Sequence, residues 1–158
     1  MVLSTHAVVG AAVIVLTPTH PILGTTLAFA SHFLLDAIPH WDYTLYSDSL
    51  TPDKHGSLHL DSKLALDIVR IGGDAVLGLI VAWYFFSTPV HPYLWFFGAS
   101  AAIFPDFLQF VYAKWRHEPF TSLQRFHDGI QKYYKIKNPV LGEGVQLALI
   151  AAVIALSR

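Results

Sequence analysis

Long apolar runs separated by short polar breaks dominate the chain, and they predict a bundle of five helices. A helix needs roughly 20 residues to cross the ~30 Å apolar core of a bilayer. The last four runs reach or approach that length, whereas the first spans a membrane only if it tilts or the bilayer thins locally. We therefore expect an all-α polytopic membrane bundle that forms a single integral-membrane domain over residues 1–158. The runs are Ser4 to Leu16, Pro21 to Ile38, Leu64 to Phe86, Tyr93 to Tyr112 and Val140 to Leu156.

The breaks between the runs predict how the helices connect. Residues 17–21 and 87–92 are short and proline-rich, which is typical of tight turns between antiparallel helices. Two longer polar loops, 39–62 and 113–139, join the other helices. We find no strand-like alternation of polar and apolar positions, so the pattern favours helices throughout.

Basic residues are concentrated on one side of this predicted bundle. With five spans, the N-terminus and the two long loops share one face, which with the adjoining Lys63 carries eight of the ten lysines and arginines. The opposite face carries only Arg158. Because loops rich in lysine and arginine stay on the cytoplasmic side, we expect a cytoplasmic N-terminus and a multi-pass location in the cell inner membrane.

The composition agrees with a membrane protein and excludes several classes of site. Hydrophobic residues make up 54% of the chain and charged residues 13%, against about 25% charged in a typical soluble domain. The mean hydropathy is +0.48. A formal net charge of −1 gives no indication of a nucleic-acid partner. The chain has no cysteine, which excludes disulfides, thiolate metal sites and cysteine nucleophiles.

Histidines and acidic residues recur at one depth of the predicted bundle. At 1.5 Å rise per residue, they lie within about 10 Å of the cytoplasmic face. Ionisable groups inside a membrane are costly and usually face a bundle interior or a wet cavity. We therefore expect groups from all five helices to meet in one pocket. They are His6, His32, Asp36, His40, Asp42, Asp74, Asp106 and Glu143.

The segment from Ser31 to Tyr43 holds the densest part of this pattern. His32 and Asp36 are four residues apart and share one helix face. Pro39 should end the helix, which leaves His40 and Asp42 in the turn beyond it. The fourth run repeats the arrangement, with Asp106 directly after a proline that should also break the helix.

Imidazole and carboxylate groups without a thiol are typical ligands for zinc, manganese or iron. We predict a divalent-metal site, with zinc as the first choice, and an open coordination position there would activate water near neutral pH. Asp42 or Asp74 would be a partner of the ligands or the general base. The predicted ligands are His6, His32, Asp36, His40 and Asp106.

Structural roles are the alternatives at several of these positions. His32 and Asp36 can be a simple hydrogen-bonded pair, and Asp106 can cap a short helix after the proline. Asp74 lies four residues after Arg70, so the two can form a buried ion pair together with Asp67. The roles of His55, His59 and His127 stay open. The basic run 132–137 is typical of an interfacial anchor to anionic lipid.

Three segments carry a resemblance to a known family. They read STHAVVGAAV at residues 4–13, SHFLLDAIPHWD at residues 31–42 and Pro-Asp at residues 105–106. Here the chain resembles the bacterial inner-membrane metal-dependent hydrolases of the LexA-binding hydrolase family. That family's early Pro-Asp-x-Asp element reads Pro-His-Trp-Asp here, and KHGSLH replaces its His-Arg-Gly…Thr-His loop with different spacing. The resemblance implies a helical membrane fold, a divalent metal and hydrolase activity.

Taken together, these patterns predict an integral-membrane metal-dependent hydrolase. A lipid or a lipid-linked phosphate ester is the expected substrate, because it can enter laterally at headgroup depth. The alternative is a non-catalytic structural or lipid-binding membrane protein held together by a buried His/Asp network. Haem ligation by His6 and His32 is a third reading, but haem does not call for so many aspartates. The oligomeric state is left open.

Overall fold

The computed structural model describes residues 1–50, 60–131 and 135–157, and all regular structure in these ranges is helical. An isolated bridge joins His40 to Lys135 outside the helices. The prediction of an all-α fold is therefore confirmed for the described residues. The helices are α1 (Leu3–Val15), α2 (Pro21–Asp36), α3 (Ser62–Phe86), α4 (Leu94–Lys114), α5 (Phe120–Gln131) and α6 (Pro139–Leu156).

The first helix lies at the centre of the fold. α1 packs against α2, α3, α4 and α6, and almost all of its residues are buried. Small residues make this possible, because a Cβ atom on Gly10 would overlap the carbonyl oxygen of Gly98 on α4. A Cβ atom on Gly98 would in turn overlap the carbonyl oxygen of Gly10. The backbones of α1 and α4 are therefore in direct contact.

Two helices, α4 and α6, are long and apolar enough to cross a membrane, and α1 is apolar but shorter. α6 leaves large apolar side chains uncovered, with Val140 80% and Leu147 66% exposed. Further exposed apolar residues lie on α2, α3 and α4. The described part of the chain thus supports membrane association, while five spans remain a prediction.

Proline has opposite effects at its two important positions. α2 ends at Asp36, three residues before Pro39, as predicted. α4 instead continues through Pro105, so the expected break there is wrong, and Asp106 lies inside a helix where it caps nothing. Proline removes one helical hydrogen bond, but side chains of neighbouring helices can satisfy the backbone around it. The carbonyl that loses its helical donor to Pro105 is that of Ala101, and the next carbonyl, that of Ala102, accepts a hydrogen bond from the His32 ring on α2.

The fifth helix was not predicted, because it lies within the polar loop 113–139. α5 packs against α4 and α2 and turns its polar side towards them, so that Gln124 and His127 are buried. Phe126 is 55% exposed, and its ring lies 5.1 Å from that of Phe33 on α2. This helix brings a histidine to the group of ionisable residues on α2 and α4.

Candidate metal centre

Four side chains from three helices meet at one end of the bundle. α2 supplies His32 and Asp36, α4 supplies Asp106, and α5 supplies His127. One nitrogen or oxygen atom of each residue lies within 4.8 Å of those of the other three, so the group can hold a metal ion. Three of the four residues are buried, and the Asp106 side chain is 24% exposed.

The separations between these atoms fit a common ion. Asp36 Oδ2 lies 3.3 Å from His32 Nε2 and 3.2 Å from His127 Nε2. The two Nε2 atoms are 2.9 Å apart, and Asp106 Oδ1 lies 3.7 and 3.8 Å from them. Ligand atoms about 2.1 Å from a tetrahedral zinc ion are about 3.4 Å apart. Two carboxylates and two neutral imidazoles would also balance the charge of a divalent cation.

The His32 ring has the hydrogen bond expected of a metal ligand. Its Nδ1 lies 2.8 Å from the carbonyl oxygen of Ala102, which can only accept, so Nδ1 carries the proton. The lone pair of Nε2 then faces the group, because a second partner on the other nitrogen sets the tautomer of a ligating histidine. For His127, no described residue offers a partner to Nδ1. Its ring is therefore held mainly from the Nε2 side.

His6, a predicted ligand, lies beside the four-residue group. Its ring stacks on that of His32 with centroids 4.1 Å apart, and its Nε2 is 3.3 Å from Asp36 Oδ1. The residue is completely buried, yet no hydrogen bond to either ring nitrogen is found within the described residues. His6 therefore faces the oxygen of Asp36 that points away from His32 and His127.

His40 and Asp42 lie on the same side of Asp36 as His6. His40 donates from Nδ1 to the carbonyl oxygen of Ile38 at 2.7 Å, and its Nε2 is 3.8 Å from Asp36 Oδ1. The amino group of Met1 lies 2.8 Å from His40 Nε2 and 3.6 Å from Asp42 Oδ2. Burial, followed by the charge of that amino group, lowers the pKa of His40. Burial raises the pKa of Asp42, although the same charge opposes the shift.

Asp74, the other predicted catalytic residue, binds the start of α1. Its Oδ2 accepts hydrogen bonds from the backbone of Ser4 and from the hydroxyl of Tyr43, both at 3.1 Å. Burial, and after it the charge of Asp74, raises the pKa of the Tyr43 hydroxyl. Asp74 thus fixes α1 to α3 and to the loop after α2, and a catalytic role for it stays a prediction.

The suggested ion pair between Arg70 and its acidic neighbours is not formed in the described part of the chain. Asp67 accepts from the backbone of Tyr46 and of Ser47, at 2.9 and 2.8 Å. Arg70 reaches the carbonyl oxygen of Thr44 at 3.4 Å and lies over the Tyr46 ring. Both charged residues therefore hold the loop that follows α2.

Sequence reasoning underrated one ligand and missed the amides around the group. His127 was left open because it lies in a polar segment, although its spacing from Gln124 and Gln131 on one helix face was a usable signal. Gln109 and Gln131 donate to Asp106 and Asp36, both at 2.7 Å. His55, His59 and residues 132–134 of the basic run lie outside the described residues.

An apolar cavity of about 690 Å³ lies between α2 and α4. Its wall includes Phe29, whose ring is 5.5 Å from that of Phe33, and Phe33 in turn lies 5.8 Å from the His127 ring. The cavity therefore approaches the metal centre along α2.

Comparison with known proteins does not assign the chain to a family. No family model matches the chain, and no curated protein or solved structure matches it either.

Proposed function

We propose that the protein is an integral-membrane metal-dependent hydrolase. The observation that carries the proposal is the convergence of His32, Asp36, Asp106 and His127 within 4.8 Å. Nitrogen and oxygen donors without a thiol favour zinc, with manganese or iron as the other candidates. An ion bound there would lower the pKa of a coordinated water towards neutrality.

The protein's own residues then supply orientation and proton transfer. Asp106 is the most exposed of the four ligands, so substrate approaches past this residue. Asp42 is the better candidate for the general base, because its Oδ2 lies 3.6 Å from the Met1 amino group that also contacts Asp36, whereas Asp74 binds Ser4 and Tyr43. In hydrolysis of a phosphate ester, the water oxygen bonds to phosphorus and the ester P–O bond breaks. The base takes a proton from the water and passes it to the leaving alcohol oxygen.

The substrate we propose is a lipid or a lipid-linked phosphate ester. Exposed apolar residues on α2, α3, α4 and α6 favour a five-span bundle in the inner membrane, with the centre near the cytoplasmic face. A phosphate at headgroup depth would then meet the metal centre from the side. The cavity beside Phe29 suits an apolar chain of that substrate.

One observation favours the alternative of a non-catalytic structural or lipid-binding protein. Asp36 lies within 3.3 Å of ring nitrogens of His6, His32 and His127. A protonated histidine can balance a buried carboxylate without a metal, and such networks hold helices together.

Elemental analysis of detergent-purified protein, combined with hydrolysis of phosphatidate and of a soluble aryl phosphate, tests the proposal. We expect about one zinc, manganese or iron ion per chain at this centre, and release of phosphate from the lipid. Asp36→Asn should lower kcat/KM at least about 100-fold, because it removes a ligand charge. His91→Ala changes an exposed histidine in the turn before α4 and should leave turnover as in wild type.

Two results would contradict the proposal, the first its hydrolase activity and the second its lipid substrate. Protein that holds no stoichiometric metal and releases no phosphate, while Asp36→Asn merely unfolds more easily, would favour the structural alternative. Cleavage of the aryl phosphate but not of phosphatidate would support metal-dependent hydrolysis and contradict the proposed lipid substrate.

A further inference from the structure

Two of the four glutamines in the chain, Gln109 and Gln131, donate to carboxylates of the candidate metal centre, and a third, Gln124, donates to Gln109. We propose that Gln109 and Gln124 are positioning residues that orient the Asp106 carboxylate and seat the helix carrying His127, and that they thereby set the metal affinity of the site. This inference rests on the proposed metal centre. Neither residue is among the four candidate ligands.

The two amides form a chain of hydrogen bonds between two carboxylates. Gln109 Nε2 donates to Asp106 Oδ1 at 2.7 Å, and Gln124 Nε2 donates to Gln109 Oε1 at 3.3 Å. The second hydrogen of the Gln124 amide goes to Asp128 Oδ1 at 2.8 Å. An ionised carboxylate only accepts, so the acids at both ends decide which way each amide points.

Asp106 is the ligand that most needs such support. Its Oδ1 lies farther from the two histidine nitrogens than Asp36 Oδ2 does, at 3.7 and 3.8 Å. Its side chain is also the most exposed of the four, so fewer neighbours restrict its rotation. A fixed carboxylate loses less conformational entropy when an ion binds. The amide of Gln109 supplies this restriction from α4 itself, three residues along the helix.

The same series of hydrogen bonds links α5 to the site. Gln124 and His127 are three residues apart and both buried on the face of α5 that meets α4 and α2. Gln109 Nε2 also lies 3.4 Å from His127 Nε2. Since His127 has no partner on Nδ1 among the described residues, the position of its ring depends on how α5 is docked. Gln124 therefore fixes a ligand on its own helix and, through Gln109, a ligand on α4.

Metal titration of the full-length protein in detergent tests this role. Gln109→Met and Gln124→Met keep the length of the side chain and remove the donor. We expect each to weaken zinc binding about 10- to 100-fold, measured by competition with a fluorescent chelator. The visible absorption of the cobalt-loaded protein should also change, because it reports ligand geometry and not overall stability.

Gln146→Met is the matched control. Gln146 is buried like Gln124, but it accepts from the backbone of Val2 and donates to the carbonyl oxygen of Trp41. Its loss should reduce thermal stability and leave zinc affinity within about twofold of wild type. Asp128→Ala changes an exposed residue that accepts the last hydrogen bond of the series, and it should weaken zinc binding by a smaller factor. This variant serves if either methionine variant does not fold.

The outcomes separate this inference from the proposed function. Wild-type protein that binds zinc, with unchanged affinity and cobalt spectrum in Gln109→Met, Gln124→Met and Asp128→Ala, would overturn the positioning role and leave the metal centre intact. Wild-type protein that binds neither zinc nor cobalt would overturn both the positioning role and the proposed metal centre.

Discussion

The imidazole of His32 on α2 donates from Nδ1 to the backbone carbonyl of Ala102 on α4, at 2.8 Å. This bond joins two helices within one turn of the proline in α4, and it leaves Nε2 free to face Asp36 and His127. One hydrogen bond thus joins α2 to α4 and orients a candidate metal ligand. The same contact therefore connects two packed helices and fixes a side chain of the polar centre.

Removal of the His32 ring should abolish metal binding. His32→Ala takes away a candidate ligand atom, so we expect zinc affinity to fall at least about 100-fold. Elemental analysis after dialysis measures the loss. His20→Ala, which changes an exposed histidine before α2, is the control and should keep the wild-type metal content. Equal metal content in both variants would show that His32 is not a ligand.

The same glycine substitution should have opposite effects at two positions. Gly98→Ala places a Cβ atom against the backbone of Gly10, and we expect a loss of about 1–3 kcal/mol in the free energy of unfolding. A Cβ atom at Gly73 on α3 meets nothing within 4 Å, so Gly73→Ala should add about 0.5–1 kcal/mol through helix propensity. Denaturant titration in detergent gives both values. Equal stability of the two variants would mean that α1 and α4 are not in contact.

Tyr43 predicts a pH dependence at alkaline pH. Its pKa is raised in the folded protein, so its contribution to stability is complete below the unfolded value of about 10 and is lost as pH rises towards the folded value. Tyr43→Phe lacks this titration and one hydrogen bond to Asp74. At neutral pH we expect the variant to be less stable by about 1 kcal/mol, with the difference narrowing above about pH 10. A difference that stays constant up to pH 11 would contradict the assignment.

Metal removal should loosen α5 before the rest of the bundle. Helix α5 packs against α4 and α2. Among the described residues, the His127 ring has polar neighbours only at Nε2, the atom that faces the candidate metal centre. We expect chelation to speed amide hydrogen exchange in residues 120–131 about tenfold, while exchange in the buried helix α1 stays unchanged. Mass spectrometry of peptic fragments resolves the two segments. Equal exchange rates in residues 120–131 with and without chelator would show that α5 docks independently of the ion.

The sequence predicted the apolar helices well because their signal is local. Run length and flanking prolines located α1, α2, α3, α4 and α6 to within two residues at each end. α5 was missed although Phe120, Leu123 and Phe126 recur at helical spacing, because the prediction relied on apolar runs long enough to cross a membrane. The break expected at Pro105 is wrong because α4 is held by its packing against α1 and α2, which the local sequence does not reveal.

The candidate site was predicted in part for the same reason. His32 and Asp36 share a helix face, which spacing alone reveals, and Asp106 followed from its depth. The spacing of His127 from Gln124 and Gln131 indicates a shared polar helix face, but that this face docks on α2 and α4 depends on tertiary contacts. The pairing of Asp74 with Ser4 and Tyr43, in place of Arg70, likewise depends on how α1 sits against α3.

The position of α1 has a consequence for the order of assembly during synthesis. Its packing partners α2, α3, α4 and α6 all follow it along the chain. The backbone of Val2 and the hydroxyl of Thr5 both donate to Gln146, more than 140 residues later. His6 can meet His32 and Asp36 as soon as α2 is made, whereas the four candidate ligands are complete only once α5 follows. Ribosome-bound chains that stop before α5 should therefore not retain an ion, because they lack His127.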